Sequence, residues 1–385
     1  MNAWPIACLA DIADITMGQS PPGETYNERG NGLPFFQGKS EFGETYPIPR
    51  KWCSEPKKVA EPGDILISVR APVGPSNLAD TRCCIGRGLA SVRAKTDFLD
   101  VQYLRYCIRH AEPTLASLGQ GSTFAAIGRT ELASTKVPVP PLPEQRRIVD
   151  ILSRAEGIVR LRREAEKKAA ELIPALFIEM FGDPAANPKG LPLVPLGALL
   201  EDGPQNGLYK HSSHYGEGTP ILRIDAFYDG RVRDMASLKR VRVSEDERHK
   251  FRLNSRDIVI NRVNSVEYLG KSAIIPLLVE PTVFESNMMR MTLNEGRVFP
   301  EFLIELLQTA YAKRHFLANA KHAINQSSIN QQDVKTIAVP LPPIDLQRQF
   351  AQRVEAIRAL QAQQAAATAK AQASFDALLA QAFPA

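Results

Sequence analysis

Apolar residues follow two different rhythms along this chain. From residue 1 to about 136, short apolar runs stand between Gly- and Pro-rich turns, as in Asp64-Ile65-Leu66-Ile67-Ser68-Val69 and Leu89-Ala90-Ser91-Val92. Such runs predict strands, and helical spacing enters only near Val101 to His110. The third quarter repeats the scheme, with strands near Thr219 to Ile224, Asp257 to Asn261 and Met288 to Leu293 and a helix near Glu301 to Phe316. Each stretch predicts a mixed α and β domain that opens with sheet and closes with helix. The second rhythm begins after Pro141, where apolar or small residues recur at three and four: Ile148, Ile151, Ala155, Ile158, Ala165, Ala169, Leu172 and Leu176, with Arg162 between the two sets. The end of the chain answers with Phe350, Arg353, Ile357, Leu360, Gln364, Ala367, Ala371, Ser374 and Leu378. A 3–4 spacing held over four heptads predicts a coiled-coil seam. Each helix should run ~36 residues, or ~54 Å at 1.5 Å per residue. Pro174 should kink the first helix or end its regular part, whereas the second has Asp376 there. If the helices pair antiparallel, Arg162 and Gln364 meet near the centre. They then form one polar layer that fixes register, or two side chains that reach out to solvent.

The helices belong to a larger repeat. Val137-Pro138-Val139-Pro140-Pro141-Leu142-Pro143-Glu144-Gln145-Arg146-Arg147-Ile148 returns 202 residues later, from Val339, as Val-Pro-Leu-Pro-Pro-Ile-Asp-Leu-Gln-Arg-Gln-Phe ending at Phe350. Weaker echoes join Gly32-Leu33-Pro34-Phe35-Phe36 to Gly218-Thr219-Pro220-Ile221-Leu222, and Gly63-Asp64-Ile65-Leu66-Ile67 to Arg256-Asp257-Ile258-Val259-Ile260. Two copies are too few for a solenoid. A pseudo-twofold chain suits a target that is itself in two parts.

The order of globular region, Pro-rich Glu-Gln-Arg motif and long helix, given twice, resembles the DNA-specificity subunit of type I restriction–modification systems. Leu176-Phe177-Ile178-Glu179-Met180-Phe181-Gly182-Asp183-Pro184 resembles the junction between that family's halves. The resemblance implies an α+β fold with two mixed α/β target-recognition domains, at 1–136 and 185–338. Two long antiparallel coiled-coil helices, at 137–184 and 339–385, would join them. It implies a non-catalytic chain that reads a split, asymmetric site in double-stranded DNA. It also implies two methyltransferase subunits that modify adenine with S-adenosylmethionine, and restriction subunits that use ATP and Mg. No cofactor is expected on this chain. The specificity chain of a type IIB-like system cutting on both sides of its site remains open, as does a stand-alone DNA-binding coiled-coil regulator.

Composition alters this picture little. Hydrophobic residues make up 44 % and charged residues 23 % of the 385, as in ordinary globular proteins. A net charge of +5 is compatible with a nucleic-acid partner. The five cysteines, Cys8, Cys53, Cys83, Cys84 and Cys107, form no CxxC and predict reduced thiols. No apolar run approaches the ~20 residues of a membrane helix, and the expectation is a cytoplasmic protein with no membrane partner.

No methyltransferase tetrapeptide of the Asn-Pro-Pro-Tyr type occurs, and Gly38-Lys39-Ser40 and Gly270-Lys271-Ser272 lack the upstream glycine of a phosphate loop. His211 and His214 lack further ligands for a metal. Asp64 and Asp257 suit a turn before a buried strand. Chemistry is therefore expected elsewhere, and DNA contact from loops. Arg and Lys suit guanine, and Asn and Gln suit adenine, because each can make two hydrogen bonds to one base edge. Candidates in the first half are Gln37, Lys39, Ser40, Arg70, Arg82, Arg87, Gln120, Ser122 and Thr123. Those in the second are Arg223, Asn261, Arg262, Asn264, Lys271, Asn287, Lys321, Asn325 and Gln326.

Overall fold

The computed structural model describes residues 4–95, 98–119, 126–323 and 326–383. The chain forms two compact units, 1–164 with 366–385, and 165–365. This division differs from the four segments expected above. It falls within both long helices, after Glu164 and after Ala365, because the helix stretches to either side pack on the core of different units.

In the first unit, strands β1 (Ile6–Cys8), β2 (Ala13–Met17), β3 (Leu33–Phe36), β4 (Ile65–Ser68), β5 (Ser76–Leu78), β6 (Cys83–Ile85) and β7 (Leu89–Ala94) precede helix α1 (Val101–Ser117). Strand β8 (Lys136–Pro138) then leads into helix α2 (Leu142–Ala170). An antiparallel sheet has the order β2-β7-β4-β5, and β3 pairs parallel with β6 through Phe35↔Cys84. Ile65, Leu66 and Ile67 are fully buried on both sheet faces, which is why that run does not alternate. Asp64 turns the chain into β4 by accepting the Glu61 N–H at 2.9 Å, and it pairs with Arg93 at 2.7 Å. β1 closes on β8, placing the Pro-rich motif at the domain's edge.

The second unit repeats this plan after helix α3 (Leu172–Phe181), with β9 (Leu193–Pro195), β10 (Leu200–Asn206), β11 (Tyr215–Leu222), β12 (Ile258–Asn261) and β13 (Val263–Asn264). It continues through β14 (Ser272–Ile274), β15 (Val283–Phe284), β16 (Met288–Leu293), α4 (Pro300–Gln308) and α5 (Ala310–Asn319). The antiparallel pair β17 (Lys321–Ala323) and β18 (Gln326–Ser328) follows, then β19 (Ala338–Pro340) and α6 (Ile344–Ala382). The order β10-β16-β12-β14 matches β2-β7-β4-β5, the parallel pair β11–β15 matches β3–β6, and β9–β19 matches β1–β8. Asp257 repeats the turn of Asp64, accepting the Asn254 N–H at 2.7 Å. The helix expected over 301–316 is broken at Thr309, whose hydroxyl caps α5 by accepting the Ala312 N–H.

α2 ends at Ala170 and α3 starts at Leu172. Pro174 supplies the reason, since its ring clashes with the carbonyl four residues back and it has no N–H to give. α6, with Asp376 at the matching position, runs unbroken for 39 residues. Within the first unit the helix stretches lie antiparallel. Arg163 donates to Gln372 at 2.8 Å, while Phe383 lies 5.5 Å from Tyr103, whose hydroxyl reaches the Pro138 carbonyl near the start of α2.

The buried face of the helices differs from the expected seam. Ile148 and Phe350 are buried as expected, Ala155, Ile357, Gln364 and Leu378 are half-buried, and Leu176 packs partly on the second core. Ile151, Ile158, Arg162, Leu172 and Leu360 are exposed. The buried layers instead fall at Leu152, Val159, Ile173, Phe177, Val354, Phe375, Leu379 and Phe383. The physical reason is that these helices press against a domain on one side. Such a face is wider than a two-helix seam and follows the 3.6-residue turn rather than a strict 3.5 repeat. Arg162 belongs to the first unit and Gln364 to the second.

An ionic cluster fixes α1 on α2. Glu156 accepts from both terminal nitrogens of Arg105 (3.2 and 2.9 Å), from the Tyr106 hydroxyl at 2.9 Å and from Arg109. Burial alone would raise its carboxyl, but Arg105, Tyr106 and Arg109 outweigh burial and hold it below the usual range. Glu156→Gln should cost about 2 kcal/mol at neutral pH, less than a fully buried pair because Glu156 keeps 29 % exposure. A depressed carboxyl stabilises the fold above its unfolded value and loses that stabilisation as pH falls through its folded one. Urea unfolding at pH 7 and pH 3 should therefore show wild type and variant converging in acid. A difference that stays constant with pH would refute this role.

Candidate nucleic-acid interface

Strand polarity gathers three of the nine predicted residues of the first domain, and most of those of the second, at one end of the sheet. In the first domain β2, β3, β4 and β6 end where β7 begins. Gln37 follows β3, Arg70 lies just beyond β4, and Arg87 occupies the turn from β6 to β7. Backbone bonds tie these loops together: Val69 N–H to Gly88 O at 2.9 Å, Gly86 N–H to Phe36 O at 2.8 Å, and Gly18 N–H to Leu89 O at 2.9 Å. Gly88 has to be glycine, since a Cβ there would lie 2.0 Å from the Gln37 carbonyl. Gln37, Arg70 and Arg87 are exposed there.

Other first-domain candidates are placed elsewhere. Arg82 sits at the opposite end of β6 and pairs with Glu61 at 3.2 Å, so it does not join the cluster. Lys39 lines a 390 Å³ cavity with Glu112, Arg105 and Arg109, and Ser40 shares its short 3-10 turn. That turn holds the Glu41 carboxylate on the Gly38 N–H, the reverse of a phosphate cradle. Gln120, Ser122 and Thr123 lie outside the described residues.

In the second domain the same end collects Arg262 after β12, Asn264 in β13, Lys271 before β14 and Asn287 before β16. Strand β18 pairs with β13 through Val263↔Ser328 and with β17 through Lys321↔Ser328, bringing Lys321 and Gln326, both exposed, to the same edge. The Asn287 carbonyl accepts the Arg262 N–H at 2.9 Å. The Arg262 guanidinium donates to the Ser286 carbonyl at 3.2 Å, while its Nε is buried without a partner.

Three second-domain candidates are corrected by their surroundings. Asn261 is fully buried, with its amide toward the Tyr268 carbonyl at 3.4 Å, so it supports the loop from inside. Arg223 is held by Glu285 at 3.2 Å. Lys271 donates to the Ile224 carbonyl at 2.7 Å, and its ammonium lies 3.8 Å from the centroid of the Tyr228 ring. Burial pushes its pKa down, and the side chain acts as a tie between loops. Adjacency in sequence could not show the partners of Arg223 and Lys271, because Glu285 and Ile224 lie 62 and 47 residues away along the chain. Asn264 accepts the Ser265 N–H and shapes its turn. Asn325 lies outside the described residues.

A 450 Å³ cleft at this edge is lined by Asn206, Arg262, Asn330, Gln331, Gln332 and Lys335. Five of these six were not among the candidates. Asn206 closes β10, and the others stand on the short helix Gln331–Lys335 and its cap. The signal was available in the 202-residue offset, which sets Asn330-Gln331-Gln332 against Gly128-Arg129-Thr130.

Two further positions show a matched role on the inner side of the domains. Gln145 and Gln347, also 202 residues apart, are fully buried. Gln145 donates to the Phe98 and Pro140 carbonyls, both at 2.8 Å, and accepts the Asp100 N–H at 2.8 Å. Gln347 does the same with Arg297 O (3.2 Å), Pro342 O (2.8 Å) and Phe299 N–H (2.9 Å). The glutamine of the repeated motif thus pins each long helix to the turn before its domain's helical layer.

All five cysteines are free, and burial pushes the Cys83 and Cys84 thiols up to about 12. No group of three or more His, Cys, Asp or Glu that could hold a metal occurs among the described residues. No helix among them is long and apolar enough to cross a membrane.

Residues 1–171 and 205–368 match the family of the type I restriction modification DNA specificity domain. Over 154 residues the chain is 43 % identical to a sequence assigned as the type I restriction enzyme MjaX specificity subunit of Methanocaldococcus jannaschii, covering 40 % of this chain and 36 % of that protein. It is 23 % identical over 329 residues to the type I restriction enzyme StySPI specificity subunit of Salmonella potsdam, covering 80 % and 70 % of the two chains. The crystal structure of the type I restriction–modification S subunit from M. genitalium aligns with a TM-score of 0.56 over 99 % of this chain and 96 % of that one, at 16 % identity, which shows a shared fold. The match thus spans about a third of the first relative's length and 70 % of the second's. This chain belongs to the type I restriction modification DNA specificity domain family.

Proposed function

We propose that this chain is the non-catalytic, sequence-specific DNA-binding subunit of a type I restriction–modification complex. Each domain reads one half of a split site through the strand end described above, and the two long helices space and orient the readers. The observation that carries this reading is the repetition. Two domains of one topology each bring amide and guanidinium side chains to the same end of the sheet, and both copies fall within the family match. Gln37, Arg70 and Arg87 are assigned to the first half-site, and Arg262, Lys321 and Gln326 to the second.

The partners proposed are double-stranded DNA, two methyltransferase subunits and restriction subunits, in the cytoplasm. S-adenosylmethionine, ATP and Mg would bind those partners. Methylome sequencing of a host carrying this chain with its neighbouring methyltransferase gene tests the reading. The expected result is one adenine-methylated motif of two specified halves around an unspecified gap. A continuous motif, or methylation unchanged by deleting this chain, would defeat it. Excision on both sides of the motif would instead place the complex with type IIB-like systems.

A further inference from the structure

The two domains share a plan, so each position at the reading edge has a counterpart. Gly18 and Gly207 are equivalent: Gly18 N–H donates to Leu89 O and Gly207 N–H to Met288 O, at the start of matching strands. Met17 therefore corresponds to Asn206. Ile127 N–H donates to Val69 O and Ile329 N–H to Arg262 O, so Val69 corresponds to Arg262. The short helices Arg129–Ala133 and Gln331–Lys335 correspond at the 202-residue offset. The 450 Å³ cleft of the second domain thus has Asn206, Arg262, Gln331, Gln332 and Lys335 where the first has Met17, Val69, Arg129, Thr130 and Ala133. Val69 is 2 % exposed and belongs to the first core, so that side of the counterpart is apolar.

The scaffold does not require these polar groups, because the same turns form in the first domain without them. Asn330 is used locally, capping the short helix through the Gln332 and Asp333 N–H groups. The side chains of Asn206, Gln331, Gln332 and Lys335 make no hydrogen bond to the described residues. Arg262 reaches the same cleft with its Nε buried and unpartnered. Among the described residues no carboxylate lines it. Three amides that each offer a donor and an acceptor match the N6 and N7 edge of adenine, and a lysine beside them matches a phosphate.

We propose that this cleft is a base-reading site present in the second domain alone, taking an adenine edge of the second half-site on Asn206 and Gln332 with Lys335 on the adjoining phosphate. The inference rests on the DNA-binding role proposed above. Its test is selection from a randomised duplex library by the full-length chain assembled with its methyltransferase subunits, followed by sequencing of bound DNA. Asn206→Ala and Gln332→Ala should each lower the preference for adenine at one position of the second half-motif about ten-fold or more and leave the first half-motif intact. Gln332→Glu should move that preference toward cytosine, whose amino group a carboxylate accepts, a change that a packing role cannot produce. Lys335→Ala should weaken binding to all duplexes alike and reduce the salt slope by about one. Wild type and all three amide variants selecting one motif, with unchanged thermal midpoints, would overturn the site while the subunit assignment stands. A wild-type complex that selects no motif would overturn both.

Discussion

Replacing Gln347 by alanine should destabilise the second unit by about 3–5 kcal/mol, a large share of the stability of an ordinary domain. The side chain is fully buried and satisfies three backbone groups at once: the carbonyls of Arg297 and Pro342 and the N–H of Phe299. Alanine removes the side-chain partner of all three backbone groups. Each stranded buried group costs about 1–3 kcal/mol. Gln347→Met restores the volume without the hydrogen bonds and should recover less than half of the loss. Gln347→Glu keeps an acceptor for Phe299 but faces two carbonyls with no donor, so it should be nearly as damaging. Gln145→Ala should act alike on the first unit, through Phe98, Pro140 and Asp100. The measurement is urea unfolding combined with amide hydrogen exchange at Phe299 and Asp100. Losses under 1 kcal/mol, or exchange at those amides unchanged, would remove the clamp from the account.

The second large effect is a change of specificity in one half-site. Exchanging the first domain for that of a relative should replace one half-motif completely and leave the other as it was. The structure alters how the exchange has to be made. Phe375, Leu379 and Phe383 of α6 belong to the core of the first unit with Tyr103 and Tyr106, so residues 1–136 do not carry their whole core with them. Phe375 packs 6.3 Å from Tyr106 and sits under the Arg109 guanidinium at 4.4 Å. Transfer of 1–136 alone should lose several kcal/mol of packing unless the donor's α1 fits these rings. Transfer of 1–164 together with 366–385 should fold and should carry the donor's half-motif intact. Methylation profiling of the two chimaeras reads out both points. Both half-motifs changing together in the second chimaera would defeat the model of two separate readers.

Much of this protein was legible in the order of its residues. A shift of 202 residues, an apolar run such as Ile65-Leu66-Ile67 and a Pro-rich turn before a long 3–4 spacing each act over a few neighbours. Strand positions, the two-domain plan and the break before Pro174 therefore followed from sequence alone. Tertiary structure decided which side of each helix is buried and what each polar residue does. Ile151 and Leu152 are equally apolar neighbours, and only the curvature of the domain surface selects Leu152. Lys271 and Lys321 look alike along the chain, yet the first meets the Ile224 carbonyl and the ring of Tyr228 and the second is exposed. Asn206, Gln332 and Lys335 lie up to 129 residues apart and meet only because β10, β12 and the short helix end at one sheet edge. Local spacing governs whether backbone hydrogen bonds close into a helix or a strand. The role of a long polar side chain depends on which distant partner lies within about 3 Å of its tip, and only the folded chain specifies that.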